Sequence, residues 1–160
     1  MGTANPLELL RQAMDLEREG MKFYSKASKC ARDRKVAELF RRLSAEEGTH
    51  FEMLEQVHDH LARNNEWLVM KDLMEQGDRV VLHADIFASD VPCGELDDLA
   101  AIALGIKAEE DSIRFYREAF DGCHVGNKGG CEVFKWLVDF EREHLRTLTK
   151  IRRLTAGRSD

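Results

Sequence analysis

The stretch EREGMKFY at residues 17–24 returns, with the same spacing of glutamate and aromatic side chains, as EEDSIRFY at residues 109–116. Each stretch precedes a Glu-x-x-His motif, which lies within EEGTH at residues 46–50 and within EREH at residues 141–144. The order of glutamate, tyrosine and Glu-x-x-His therefore occurs twice. Such a repeat predicts a duplicated helical hairpin, in which a short connection makes the two helices of each half antiparallel neighbours.

Each Glu-x-x-His motif offers an oxygen and a nitrogen ligand in one direction, because residues three apart are neighbours on a helix face. Two such helices, each opposite a helix with one further glutamate, place four carboxylates and two imidazoles around one cavity. This ligand mixture suits iron(II) or manganese(II). The sequence thus predicts a dinuclear metal site formed by Glu17, Glu47, His50, Glu109, Glu141 and His144.

Apolar residues recur at spacings of three and four over four segments, which predicts four amphipathic helices. We expect these helices at about residues 7–31, 34–62, 95–120 and 131–154. Residues 64–94 are less regular and are predicted to form a long crossover connection, with short helical pieces near 67–75 and 84–88. No segment has the pattern of a strand. The predicted fold is all-α, one four-helix bundle domain over residues 1–160.

The duplication holds position by position on one helix face. A shift of 94 residues aligns six residues of the second helix with identical residues of the fourth. These residues are Glu38, Phe40, Leu43, Glu47, His50 and Leu54, which align with Glu132, Phe134, Leu137, Glu141, His144 and Leu148. The repeated face therefore includes the predicted ligands and their apolar neighbours.

A glutamate on an apolar helix face costs several kcal/mol unless a cation or a partner neutralises it. Burial as salt bridges with Lys or Arg is the alternative to a metal, but no basic residue recurs on these inward faces. A third motif, Glu55 to His58, has no counterpart in the other half and is expected to lie outside the site. His58, His60 and His83 are predicted to be surface or hydrogen-bonded imidazoles.

Tyr24 and Tyr116 follow the first glutamate of each half by seven residues. Inward tyrosines mostly fill core volume and form one hydrogen bond, and the alternative is a role behind the ligands, in which each orients a carboxylate. Gly20 and Ser112 lie three residues past the same glutamates. Their small size leaves room for a metal or a small oxidant, or permits close helix packing.

The composition excludes some partners. The chain has 24 basic and 30 acidic residues and no basic block, which argues against nucleic acid or an anionic membrane surface. An apolar run of about 18 residues and a secretory signal are both absent from the sequence, so a cytoplasmic location is expected.

The four cysteines are Cys30, Cys93, Cys123 and Cys131. They show no paired Cys-x-x-Cys spacing, so reduced thiols are predicted rather than a disulfide framework or a zinc ribbon. Cys123, His124 and Cys131 flank a Gly-rich stretch, and a soft metal site there is a weaker alternative.

With EREGMKFY and EEDSIRFY preceding EEGTH and EREH, the chain resembles the rubrerythrin branch of the ferritin-like superfamily over nearly its whole length. The resemblance implies a ferritin-like bundle in which the six residues bind two iron ions, with Glu47 and Glu141 bridging them. Family members couple iron(II) oxidation to reduction of hydrogen peroxide or dioxygen, commonly as dimers. The resemblance therefore implies a peroxidase or ferroxidase that acts as a homodimer.

Two features depart from the family pattern. Rubrerythrins usually end in a small rubredoxin domain with two Cys-x-x-Cys pairs, whereas this sequence reaches Asp160 without one. An external electron donor, such as a rubredoxin-like protein, is therefore expected. Family members also commonly have a second glutamate on the third helix, but Ile106 and Ser112 lie one turn either side of Glu109.

Three classes of function remain open on sequence grounds. The first is an oxidoreductase of the peroxidase or ferroxidase kind. The second is an iron-handling protein that oxidises and passes on iron. The third is a helical interaction module without catalysis, which would bind no stoichiometric metal.

Overall fold

The computed structural model describes residues 5–70, 93–94, 96–124 and 131–158. Within these ranges the chain forms four α-helices and no strand. The helices are α1 at Pro6–Cys30, α2 at Arg34–Asn64, α3 at Asp98–His124 and α4 at Glu132–Ala156. The predicted all-α fold with four helices is confirmed, and α3 differs most from prediction because it begins and ends later along the chain.

The connection between the two halves is described only at its ends. Residues 67–69 follow α2 without helical structure, and residues 71–92 lie outside the described residues. The predicted helical piece near 84–88 and most of the piece near 67–75 fall in that range. The crossover over residues 64–94, and one domain over residues 1–160, stay predictions.

Side-chain caps determine where the first two helices begin. The Asn5 side chain accepts a hydrogen bond from the Leu7 N–H at 3.0 Å, directly before the proline that occupies the first turn of α1. The Asp33 carboxylate accepts from the Val36 N–H at 3.3 Å and caps α2 in the same way. The α2 helix ends at Asn64, and the C-cap residue Asn65 has a left-handed φ of 53°.

One carboxylate connects the two hairpins at their ends. Asp98, the first residue of α3, accepts hydrogen bonds from the backbone N–H groups of Arg32 at 2.9 Å and Asp33 at 2.8 Å. Those two residues belong to the short connection between α1 and α2. The start of the second hairpin is therefore attached to the turn of the first.

The apolar core of the described chain is divided into two clusters. Helices α1 and α2 pack closely along each other, as do α3 and α4. Each of the four helices contributes to both clusters, and on each helix the residues between the two contributions include a buried glutamate. The largest buried side chains are Leu10, Leu54, Tyr116, Phe134 and Leu137 on one side, and Tyr24, Phe40, Leu43, Ile102 and Leu148 on the other. A polar layer therefore crosses the middle of the bundle.

The prediction of reduced thiols is wrong. Disulfides join Cys30 to Cys93 and Cys123 to Cys131, and no cysteine is free. The paired Cα atoms are 5.2 Å and 6.0 Å apart, within the range that a disulfide spans. Spacing along the sequence could not show this, because it does not determine how far apart the cysteines lie in the folded chain. The alternative of a soft metal site is excluded as well, since its two thiols form one bond.

Candidate metal centre

The polar layer contains all six predicted ligands. Each helix places its glutamate inward, and α2 and α4 add a histidine one turn further on. None of the six residues is more than 4% exposed. They are Glu17 on α1, Glu47 and His50 on α2, Glu109 on α3, and Glu141 and His144 on α4.

These side chains form two overlapping groups of four. One group is Glu17, Glu47, His50 and Glu141, and the other is Glu47, Glu109, Glu141 and His144. Each residue offers one ligand atom, and the four ligand atoms of a group lie within 4.8 Å of one another. Glu47 and Glu141 belong to both groups. The arrangement suits two cations that share two carboxylates.

Both imidazoles direct the same ring nitrogen into the cluster. Nδ1 of His50 lies 3.3 Å from a carboxylate oxygen of Glu17 and 3.3 Å from one of Glu47. Nδ1 of His144 lies 3.1 Å from Glu141 and 3.6 Å from Glu109. The two rings are stacked, with centroids 5.5 Å apart. The Nδ1 atoms are therefore the nitrogen donors available to a metal.

The salt-bridge alternative for the buried carboxylates is wrong. In the described part of the chain, Lys and Arg form ion pairs with partly or fully exposed carboxylates at the protein surface. Among the described residues, the four inward glutamates form ion pairs only with the two histidines. Buried negative charge of this amount requires protons or metal ions to neutralise it.

The two tyrosines link the hairpins across the layer. The Tyr24 hydroxyl on α1 donates a hydrogen bond to Glu109 on α3, and the Tyr116 hydroxyl on α3 donates to Glu17 on α1. Both tyrosines are at most 1% exposed. Each ring therefore fills core volume and also holds a carboxylate of the opposite hairpin, so both sequence interpretations apply.

Burial and the charges of neighbouring groups shift the pKa values of the cluster residues in different directions. Burial opposes the ionisation of Glu17, but a hydrogen bond with Glu47 and the charge of His50 outweigh it and lower the pKa of Glu17 to about 2. Burial and the charge of Glu17 raise the pKa of Glu47, and burial and the charge of Glu47 raise the pKa of Glu141. Burial lowers the pKa of His50, but the charge of Glu17 outweighs it and the net direction is upward. Protons therefore compensate part of the charge, and metal ions would displace them.

A cavity of about 440 Å³ leads from the surface between α1 and α3 to the carboxylates. Its wall includes Gly20 and Ser112, beside Glu17, Glu47, Glu109 and Glu141. A Cβ on Gly20 would lie 3.3 Å from the Glu47 Oε1 atom, which is a tight contact. The absence of a side chain at Gly20 therefore keeps the space beside the Glu47 carboxylate open.

Sequence reasoning missed one residue of the site. Nε2 of His144 lies 2.9 Å from a carboxylate oxygen of Glu46, which is about half exposed. The residue at the equivalent position of the other half, 94 residues further on, is Phe140. A search for repeated residues could not find Glu46, because it is not repeated.

The third motif lies outside the cluster, as predicted. Glu55 is exposed, and His58 is only partly buried, with Nδ1 3.4 Å from Asp59. His60 is partly buried, and its Nδ1 lies 3.2 Å from the Asn64 side-chain amide. His83 lies outside the described residues, and nothing is described for the side chain of His124.

Four helices around a buried layer of carboxylates and imidazoles define the ferritin-like class of four-helix bundles. A family model described as Rubrerythrin matches residues 8–152 of the chain. The chain belongs to the rubrerythrin family. No curated protein and no solved structure matches it.

Proposed function

We propose that this protein is a non-haem di-iron oxidoreductase that reduces hydrogen peroxide or dioxygen. The main support is one observation: four carboxylates and two imidazoles converge in the core, with no Lys or Arg among the ion-pair partners described for them. Two divalent cations would neutralise the four carboxylates. Family membership favours iron, and manganese is the other metal that suits these ligands.

The two groups of ligands suggest how the metals are shared. Glu47 and Glu141 would bridge, because each belongs to both groups. Glu17 and His50 would complete one metal position, which we call position A. Glu109 and His144 would complete the other, which we call position B. Each histidine would bind through Nδ1, the nitrogen that faces the cluster.

Two bound iron(II) ions would supply the two electrons that convert hydrogen peroxide and two protons into two molecules of water. The chain's own residues would hold and enclose the site. Tyr24 and Tyr116 orient Glu109 and Glu17, and the two apolar clusters enclose the polar layer at either end. The cavity between α1 and α3 gives a small oxidant a route to the carboxylates.

The partners belong to the same proposal. A two-electron reduction requires the metals to be reduced again, so we propose an external donor such as a rubredoxin-like protein. A homodimer is proposed from family membership and is checked by analytical ultracentrifugation. A large cage in that experiment would favour iron handling instead.

A cytoplasmic location also stays a proposal. No helix in the described ranges has the length and apolar character needed to cross a bilayer. Disulfides, however, persist mainly in oxidising compartments, and two are formed here. Thiol titration of protein purified under an alkylating agent tests whether the bonds exist in the cell.

The function is tested by metal content and peroxide turnover. We expect two iron(II) ions per chain after anaerobic addition, and consumption of peroxide when an electron donor is supplied. The matched control is Glu55→Ala, which alters the Glu-x-x-His motif outside the cluster and should change neither result. Binding of no stoichiometric metal would refute the proposal and favour an interaction module. Two bound irons without peroxide or dioxygen consumption would refute catalysis alone.

A further inference from the structure

The two histidines of the cluster have different surroundings on their outer side. Nε2 of His144 contacts Glu46 on α2 at 2.9 Å. The hydrogen bonds of His50 in the described chain run through Nδ1, and its ring lies edge-on against Phe140 and Trp136 on α4. The centroid distances of those two contacts are 5.1 Å and 5.7 Å.

These surroundings come from equivalent positions of the two hairpins. A shift of 94 residues aligns Arg42 with Trp136 and Glu46 with Phe140. Arg42 and Glu46 form an ion pair, with Nε and Oε1 3.6 Å apart. The rings of Trp136 and Phe140 contact each other, and their centroids are 3.9 Å apart. An ionic pair therefore lies behind one histidine and an aromatic pair behind the other.

A carboxylate behind a metal-binding histidine has a known physical effect. By accepting the N–H of the outer ring nitrogen, it holds the ring in the tautomer whose other nitrogen has a free lone pair, and it makes that nitrogen more basic. Loss of such a partner typically weakens metal binding by about 10- to 100-fold. Aromatic edges beside a ring provide neither effect.

We propose that Glu46 is a positioning residue for His144 and makes the two metal positions unequal, so that the first divalent cation binds at position B. The inference rests on the proposed metal site but not on its activity. Glu46 Oε2 would accept the Nε2–H of His144 while Oε1 faces Arg42. His50, which lies against Phe140 and Trp136, would bind the second cation more weakly.

The test uses cobalt(II) alone, without iron or peroxide, and follows binding by calorimetry and visible absorption under anaerobic conditions. We expect the wild-type protein to bind two ions in two separated steps. Glu46→Gln keeps the shape but removes the charge, and Glu46→Ala removes the acceptor. Both should weaken the first step by about 10- to 100-fold and change the second by less than about threefold.

The matched control is Glu143→Gln. Glu143 precedes His144 on α4, is mostly exposed and pairs with Arg146, so its loss removes one nearby charge without removing the partner of the imidazole. Both steps should stay as in the wild type. His144→Ala should abolish the tight step and His50→Ala the weak one, which assigns the steps to the two positions. Circular dichroism of each metal-free variant checks that the helices are intact.

Three outcomes would overturn the inference: equal affinity for both ions in the wild type, an unchanged first step in both Glu46 variants, or the same weakening in Glu143→Gln. None of them affects the proposed oxidoreductase, which would fail only if iron were not bound or peroxide and dioxygen were not consumed. Conversely, unequal cobalt(II) binding, together with an iron-loaded protein that consumes neither peroxide nor dioxygen, would support the inference and refute the activity.

Discussion

The α1–α2 hairpin and the α3–α4 hairpin contribute the same ligand types to the cluster but different neighbours to each other's histidine. Inside the cluster, Glu47 and His50 correspond to Glu141 and His144. Behind the histidines, an ionic pair on α2 corresponds to an aromatic pair on α4. The difference teaches that a repeated ligand layer does not imply two equivalent metal positions. The metal affinity of each position also depends on the residues that contact the ligands from behind.

The largest effect on metal binding should follow from removing the two carboxylates that both metal positions share. Glu47→Ala combined with Glu141→Ala deletes both carboxylates that belong to both groups, so we expect neither metal position to bind. Inductively coupled plasma mass spectrometry after anaerobic iron addition should find less than about 0.2 iron per chain. Retention of two irons would contradict the ligand assignment, and Glu55→Ala serves as the control.

Removing one terminal carboxylate should distinguish the two metal positions. We expect Glu17→Ala to lose the ion at position A and Glu109→Ala to lose the ion at position B, because each residue belongs to only one group. Each variant should then bind one cobalt(II) ion, with a different visible spectrum. Identical spectra from the two variants would show that the positions are not distinct.

One disulfide joins the end of α1 to the chain before α3, and the other lies within the α3–α4 hairpin. Cys30 and Cys93 are 63 residues apart, whereas Cys123 and Cys131 are 8 apart. Since a longer loop loses more entropy on closure, replacing the first pair by serine should lower the free energy of unfolding by about 4 kcal/mol, and replacing the second by about 2.5 kcal/mol. Urea denaturation measures both values. A larger effect for the second pair would contradict this order.

Each tyrosine donates a hydrogen bond to a buried glutamate of the other hairpin, so loss of either hydroxyl should destabilise the protein by a similar amount. Tyr24→Phe and Tyr116→Phe each remove one hydrogen bond to a buried carboxylate. We expect each to lower the free energy of unfolding of the metal-free protein by about 1–3 kcal/mol. A difference of more than about 2 kcal/mol between the two variants would show that the halves also differ here.

The smallest effect concerns pH and distinguishes metal-free from metal-loaded protein. Burial and neighbouring charge raise the pKa of Glu47 and Glu141 above 4.5, and the net effect on the pKa of His50 is also upward, from 6.5. Groups with a raised folded pKa stabilise below the unfolded pKa and lose that contribution as the pH rises. The lowered pKa of Glu17 acts oppositely only near and below pH 4.5. The Tm of the metal-free protein should therefore fall from pH 5 to pH 8.

Metal binding requires deprotonated ligands, so the added stability of the cobalt-loaded protein should grow over the same pH range. Differential scanning fluorimetry with and without cobalt(II) compares the two trends. A metal-free Tm that is constant from pH 5 to pH 8 would contradict the raised proton affinities.

The predictable part of the site lies along single helices. Glu47 and His50 are three residues apart, so the helical period alone places them on one face, and their apolar neighbours show that the face is inward. The lack of a counterpart in the other half correctly excluded Glu55 from the site. The disulfides could not be predicted in this way, because Cys30 and Cys93 are 63 residues apart and no helical period relates them.

The sequence by itself determined the four helices, the duplication and the six inward metal-binding candidates, because helical period and repetition are local properties of the chain. Only the tertiary structure decided that Tyr24 contacts Glu109, that Glu46 lies behind His144 and that the cysteines pair. Each of these contacts joins residues that are distant along the chain or carry no repeated signal. Their distances depend on how the two hairpins pack, and no spacing within one helix contains that information.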